Sequence, residues 1–373
     1  MIFDWVIVGA GLSGATLAER IASQCGSSVL VVDQRHHVAG NAWDEYNEHG
    51  IFLHKYGPHI FHTDNAKVWA YLSRFTEWRF YVHRVLCLVD EKLVPVPFNL
   101  NSIDLLFQPP TAKRLSEKLL EVYGAEKSIP ILEMRRSEDR HIQALSDFIY
   151  NKVFLNYTKK QWGIAPDELS PIVTSRVPVL TSRDDRYFRD AFQGIPMKGY
   201  SAMVLRMLNH SNIHLQLNTR WNDIKDKIFF KRLIYTGPID EYFDYRHGEL
   251  PYRSLNIVEE THKAKCYQDA AVINLPYHPS CTRITEPKWL TGQVHPHTTT
   301  LTEYPIPHAN GKTIPYYPIP TEANRKQCEL YSAETAKLRG KVIFAGRLGN
   351  YMYYNMDQAV ENALQIFWSI RNA

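Results

Sequence analysis

The stretch VIVGAGLSG, Val6 to Gly14, limits what this chain can fold into more than any other segment. An apolar run, DWVIVGA, reads as a buried strand. GLSGATLAERIASQ has helical spacing, and SSVLVVD reads as a second strand. Gly9, Gly11 and Gly14 stand in GxGxxG spacing at the first turn, and Asp33 closes the second strand. Glycine meets three needs in such a turn: a tight bend, a close backbone approach to a pyrophosphate, and close packing of helix on strand. The helix opens at Leu12 and Ser13, where its N-terminus attracts phosphate. Asp33 can hold a ribose hydroxyl. Strand, turn, helix, strand and acid occur together, so a Rossmann-like, dinucleotide-binding domain is expected.

The chain has 373 residues, enough for two or three domains. RFYVHRVLCLVDEKLVPVPFN alternates around DEK and reads as a hairpin, with Pro95 and Pro97 placing it at a sheet edge. From Ser102 to about Tyr157 the pattern is helical, interrupted at Pro109 and Pro110. PDELSPIVTSRVP has prolines at both ends and no strong period, as a mobile loop would. IHLQLNTR and FFKRLIYTGP read as strands, and Pro251 to Pro320 as an antiparallel sheet. KVIFAGRLG reads as a further buried strand, and DQAVENALQIFWSI as the last helix. The expected fold class is α/β (α+β overall). A discontinuous dinucleotide-binding domain takes residues 1–75, about 205–240 and 335–373. A helical bundle takes about 100–160 and carries the loop at about 166–180; an antiparallel sheet domain takes about 76–99, 181–204 and 241–334.

The net charge is +4, without a long basic run. Nucleic acid is therefore not an expected partner, whereas an anionic small molecule is allowed. The five cysteines make no CxxC pair and read as reduced thiols of a cytoplasmic protein. No signal peptide is expected, and no segment is apolar enough to insert in a membrane. In HKYGPHIFHT, His59 and His62 are three apart, as metal ligands can be. A metal needs three or four ligands, HExxH is absent, and Gly57-Pro58 breaks a helix, so no metal is expected.

Arginine and aromatic clusters recur beside glycine and proline turns. They are NYTKKQWG with Tyr157 and Trp162, then Arg176 and Tyr187, CTRITE with Arg283, PYYPIP with Tyr317, and GRLGNYMYYNMDQ with Arg347, Tyr353 and Asn355. A guanidinium fork matches phosphate oxygens, and aromatic side chains can wall a base or a sugar. Together the clusters point to an anionic ligand.

VIVGAGLSG, GNAWD, YGPHIFHT, YTKKQWG, GYSAMV, TRITE, PYYPIP and AGRLGNYMYYNMDQAVENAL occur in this order over nearly the whole chain. In this the sequence resembles the prokaryotic UDP-galactopyranose mutases. The resemblance implies FAD, active in its reduced form. It implies interconversion of the pyranose and furanose forms of a nucleotide-linked sugar, first of all UDP-galactose, through a bond between flavin N5 and sugar C1 and without net redox. On the same resemblance Gly9, Gly11, Leu12, Ser13, Gly14, Asp33, Gly40, Asn41, His59, Ile60, Arg347, Met356 and Asp357 face FAD. Phe154, Tyr157, Trp162, Arg176, Tyr187, Arg283, Tyr317, Tyr353 and Asn355 face the substrate; Arg176 and Arg283 hold the departing diphosphate, and His62 joins them as catalytic. The implied partners are a nucleotide sugar, an external reductant such as NAD(P)H, and a second copy in a homodimer. The implied setting is synthesis of cell-surface polysaccharide. Ala39 stands where a glycine is common, Asn156 replaces a glycine, Cys281 a tyrosine and Met352 an arginine. The last two lie close to the implied substrate site and keep the same chemistry on UDP-N-acetylgalactosamine or dTDP-fucose in view, while an FAD-dependent oxidoreductase of the amine-oxidase type on the same fold is a separate alternative.

Overall fold

In the computed structural model, which describes residues 2–170, 175–338 and 340–372, Ile2–Val8 is the middle strand of a five-stranded sheet. The order is Ile213–Gln216, Val29–Val32, Ile2–Val8, Phe229–Tyr235 and Val342–Phe344, all parallel. Side chains alternate across a strand, so successive residues feed different cores. Ile7, Val29, Val31 and Ile234 pack with the helices Leu12–Cys25, Gly199–Leu208 and Met356–Asn372. Val6, Leu30, Val32 and Leu233 pack on the opposite side with Trp221, Ile224 and Tyr242. Apolar cover on both faces explains the uninterrupted VIV and VLVV runs. Val342–Phe344 is half-buried, not buried, because it forms the open edge of this sheet. Helix Gly199–Leu208 packs on Leu12–Cys25 and runs through residues 204 and 205.

A seven-stranded sheet stands apart, in the order Tyr317–Pro318, Tyr252–His262, Thr298–Pro307, Arg283–Thr285, Val272–Asn274, Val85–Val89 and Lys92–Val96. Val85–Val89 and Lys92–Val96 are a hairpin whose turn residues, Asp90 and Glu91, have φ of 46° and 64°. Two positive φ values match a type I′ turn, whose twist suits two-residue hairpins. Pro95 sits on the outer strand, where a missing N–H is tolerated. The sheet is not wholly antiparallel: Val272–Asn274 runs parallel to Val85–Val89. These strands come from distant parts of the chain, so no hairpin dictates their direction. Trp78–Phe80 does not join this sheet. It pairs with Phe192–Pro196, which also pairs with Phe61–Thr63, in a sheet of three.

The helical part comprises Leu100–Leu106, Pro109–Tyr123, Ile131–Met134 and Arg140–Ile149, with Pro109 and Pro110 starting the second helix. Proline suits a first turn, where its N–H would have no partner. A π-helical turn, Tyr150–Leu155, then leads into the helix Asn156–Trp162. Such turns concentrate at functional sites. Of the expected loop at about 166–180, Pro166–Glu168 forms a 3-10 turn and Val179–Leu180 pairs with Ser128–Ile129. Residues 171–174 lie outside the described residues.

Candidate active site

The glycine turn after Ile2–Val8 is built as a cradle. Gly9 has φ of 107°, and a Cβ there would lie 2.0 Å from Thr236 Oγ1. A Cβ on Gly14 would lie 1.9 Å from the Gly9 carbonyl oxygen, and one on Gly40 would lie 3.1 Å from Gly11 Cα. Gly11 begins the helix without a side-chain cap, leaving its first N–H groups for a ligand. Leu12 is buried below, and Ser13 lies against Gly346 and donates to the Ala359 carbonyl at 3.4 Å. Asp33 accepts the Ala10 N–H at 2.8 Å and the Arg35 N–H at 2.9 Å, which holds the turn to the second strand. Asn41 Oδ1 accepts from Arg35 Nη2 at 2.9 Å, while Arg35 Nη1 is buried without a partner. Asp357 Oδ1 is likewise buried without a partner, in the first turn of Met356–Asn372. The helix dipole offsets its charge there. Close glycines, an uncapped helix start and unpaired buried polar atoms fit a dinucleotide cofactor.

Ala39, beside this cradle, has φ of 68° in the left-handed region. An L side chain there costs about 1–2 kcal/mol, partly offset in glycine by its greater unfolded freedom. Ala39→Gly is expected to stabilise the protein by up to about 1 kcal/mol. Chemical denaturation checks this, and a loss of stability would contradict the strain.

The other candidates converge on a cleft of about 650 Å³. His59, Ile60 and His62 line one part, and Phe154, Tyr157 and Trp162 another. Arg176, Tyr187, Arg283, Tyr317, Arg347, Tyr353, Asn355 and Met356 complete the set. Gly9, Gly11, Leu12, Ser13, Gly14, Asp33, Gly40, Asn41 and Asp357 do not line it; they belong to the cradle or, for Asp357, to the start of the last helix.

One wall is aromatic. The Trp162 ring lies 5.9 Å from Tyr317 and 5.4 Å from Tyr353, and the two tyrosines are 5.6 Å apart. Arg176 sits over Tyr353 at 4.3 Å and donates to Asn355 Oδ1. Arg347 sits 5.3 Å over Tyr317 and donates to the Tyr316 and Tyr354 carbonyls at 3.1 and 2.5 Å. Burial raises the phenols of Tyr157 and Tyr187, and pushes Tyr317 up to about 12. All three therefore stay neutral near pH 7 and can donate to an anion.

The helix that presents Tyr157 and Trp162 is fixed at its end. Arg253 donates to the Gln161 and Lys160 carbonyls, both at 2.9 Å, and so satisfies groups that a helix C-terminus leaves open. Lys160 Nζ donates to the carbonyls of Leu275, His278 and Cys281 at 2.6, 2.8 and 2.7 Å. This ties the helix to the segment that leads into Arg283. Cys281 is buried and Met352 is half exposed, and neither lines the cleft.

Arg283 and Glu303 are direct cross-strand partners, with Nε 2.8 Å from Oε1. Glu303 is fully buried. Burial opposes the charge on Arg283, but Glu303 outweighs it, so the guanidinium stays protonated. His59 donates from Nδ1 to the Gly57 carbonyl at 2.8 Å, and burial lowers its pKa to about 4, so it is neutral.

Sequence reasoning missed Asp190, Phe188, His83 and Glu303. Asp190 Oδ2 is 3.1 Å from His62 Nδ1, and the Phe188 ring stacks on His62 at 3.6 Å. His83 also lines the cleft, and burial lowers its pKa to about 3. Glu303 carries a readable signal, since it alternates in TTTLTEY with the buried Leu301. Among the described residues, no group of three His, Cys, Asp or Glu could hold a metal, and no helix is long and apolar enough to cross a membrane.

The profile of the UDP-galactopyranose mutase family matches residues 152–353, and that of an NAD(P)-binding Rossmann-like domain matches residues 7–75. The chain is 34% identical to a probable UDP-galactopyranose mutase of Klebsiella pneumoniae, over 96% of this chain and 92% of that one. It is 31% identical to a dTDP-fucopyranose mutase of Escherichia coli, over 96% of each. The fold is also that of a crystal structure of reduced UDP-galactopyranose mutase, with a TM-score of 0.74 at 15% identity, over 100% of this chain and 94% of that one. With relatives above 30% identity along nearly its full length, the chain belongs to the UDP-galactopyranose mutase family of isomerases and is a sugar-nucleotide mutase.

Proposed function

We propose that the protein binds FAD and, with the cofactor reduced, interconverts UDP-galactopyranose and UDP-galactofuranose. The observation that carries this reading is the gathering of Arg176, Arg283 and Arg347 with the neutral phenols of Tyr157, Tyr187 and Tyr317 in one cleft, beside a dinucleotide cradle. At about 650 Å³ the cleft is of a size that takes a nucleotide sugar. Reduced FAD, when bound, supplies a nucleophilic centre for the anomeric carbon.

The residues of the chain do the rest. The glycine turn and the uncapped helix start hold the pyrophosphate of the cofactor, with Asp33 and Asn41 near its ribose. His59, Ile60, Arg347, Met356 and Asp357 face its ring. Phe154, Tyr157 and Trp162 take the nucleoside end of the substrate. Arg176 and Arg283, with Tyr187, Tyr317 and Tyr353, hold the diphosphate as it leaves and returns, stabilising its charge and preventing escape. Asn355 lies by the sugar.

Two cysteine and methionine departures lie off the cleft lining, which supports galactose as the first sugar to try. The Escherichia coli relative keeps dTDP-fucose in view. The test is to reduce the purified protein with dithionite, or with NAD(P)H, and add UDP-galactofuranose or dTDP-fucofuranose. Conversion to the pyranose only after reduction is expected. Oxidation of substrate with consumption of oxygen would instead favour an oxidoreductase and sink the proposal.

A further inference from the structure

We propose that Asp190 is a positioning residue that fixes His62 as the carrier of the one proton exchanged when the sugar ring opens and recloses. The inference rests on the function proposed above.

A pyranose closes through O5 and a furanose through O4. Across the conversion the C1–O5 bond breaks and O5 gains a proton, while the C1–O4 bond forms and O4 loses one. The balance is zero, so a single group able to take one proton and return one is sufficient.

His62 lines the cleft and has one ring nitrogen already committed, Nδ1, 3.1 Å from Asp190 Oδ2. A carboxylate accepts, so Nδ1 carries a proton, and in the neutral ring Nε2 is then the nitrogen with the lone pair. Among the described residues Nε2 makes no hydrogen bond within the chain. Phe188 covers one ring face at 3.6 Å and stacks on His83 as well. Gln193 stands opposite His62 in the sheet, and Asn355, just before the last helix, and Gln358, within it, reach the cleft.

The charge pattern makes Asp190 notable. Arg176, Arg186, Arg189, Arg283 and Arg347 all line this cleft, and Asp190 is the one carboxylate among the described lining residues. A carboxylate repels an anionic substrate, so its presence calls for a task. Its task is not to fold its own loop. Gln193 Nε2 already bonds the Phe188 and Asp190 carbonyls at 3.1 and 3.0 Å, and Asp64 holds the Ala191 N–H at 2.8 Å. The Asp190 carboxylate reaches His62 instead, as in other pairs where an acid sets the tautomer of a catalytic imidazole.

The test uses Asp190→Asn in protein labelled with ¹⁵N-histidine, with the His62 signals assigned by their loss in His62→Gln. In the unaltered protein His62 is expected with its proton on Nδ1. In Asp190→Asn the amide can donate to Nδ1 and move the proton to Nε2. Turnover should then fall roughly 10²-fold through kcat, with KM and flavin content unchanged. Asp190→Glu should restore the Nδ1 proton and part of the rate. A proton on Nε2 in the unaltered protein, or Asp190→Asn turning over at the full rate, overturns the proposal. Should the unaltered reduced protein convert no furanose substrate, the functional reading fails, and the nitrogen spectrum still decides whether Asp190 sets the tautomer.

Discussion

Arg283→Ala is expected to lower turnover by roughly 10³-fold, the scale of losing a charged partner of a developing oxyanion. It is also expected to destabilise the fold by about 3–5 kcal/mol, for a separate reason. Arg283 and Glu303 face each other across neighbouring strands, and Glu303 is fully buried. Removing the guanidinium leaves a buried carboxylate without its cation. A buried ion pair contributes little when compared with a well-packed apolar pair, yet breaking one side of it is costly. The double variant Arg283→Met with Glu303→Leu should therefore regain most of the lost stability. It should regain none of the activity, because on the proposed function the diphosphate is held by Arg283. Thermal denaturation and furanose turnover, measured on both variants, separate the two effects. A single variant as stable as the unaltered protein would refute the reading of the ion pair. An active double variant would refute the anion-holding role of Arg283.

The parts of this molecule that were legible in the sequence are those whose cause is local. The glycine turn between strand and helix is local in part: Gly14 packs on the Gly9 carbonyl oxygen and on Ile7 within VIVGAGLSG, whereas Gly9 is pressed by the distant Thr236. The hairpin around Asp90 and Glu91 follows from period-two alternation on both sides of a polar pair. Features set by contacts between distant segments left little trace. Val272–Asn274 could run either way beside Val85–Val89, because nothing short connects them. Trp78–Phe80 looks like any aromatic strand until Phe192–Pro196 claims it. The π turn at Tyr150–Leu155 continues a helical pattern and differs only in its hydrogen bonding.

The same division runs through the candidate site. Tyrosine and arginine clusters announce themselves by composition. Asp190 does not, since its meaning arises only when the loop after Tyr187 folds over the strand that bears His62. Glu303 is intermediate: its inward face is legible from alternation, but its partner is fixed by strand register. Lys160 and Arg253 also escape a reading based on charge, because each spends its donors on backbone carbonyls, where no acidic residue marks the contact.

Gly14→Ala is expected to remove most of the bound flavin, weakening its binding by roughly 10²-fold, as a displacement near 1 Å can. The cause is purely steric. Gly14 lies within the helix Leu12–Cys25 in ordinary helical backbone, so alanine there imposes no conformational strain. Its Cβ, however, would lie 1.9 Å from the Gly9 carbonyl oxygen and 3.3 Å from Ile7 Cγ2. Neither backbone nor a buried strand residue can yield cheaply, so the helix start must move off the strand. That motion withdraws the N–H groups that, on the proposed function, hold the cofactor pyrophosphate. Gly26→Ala is the matched control. Gly26 ends the same helix at φ of 63°, and its added Cβ meets nothing within 4 Å. It should cost about 1 kcal/mol of strain while the flavin stays bound. Flavin absorbance of the purified variants reads the contrast directly. Full flavin in Gly14→Ala, or its loss in Gly26→Ala at equal stability, would show that the cofactor is not held at this turn.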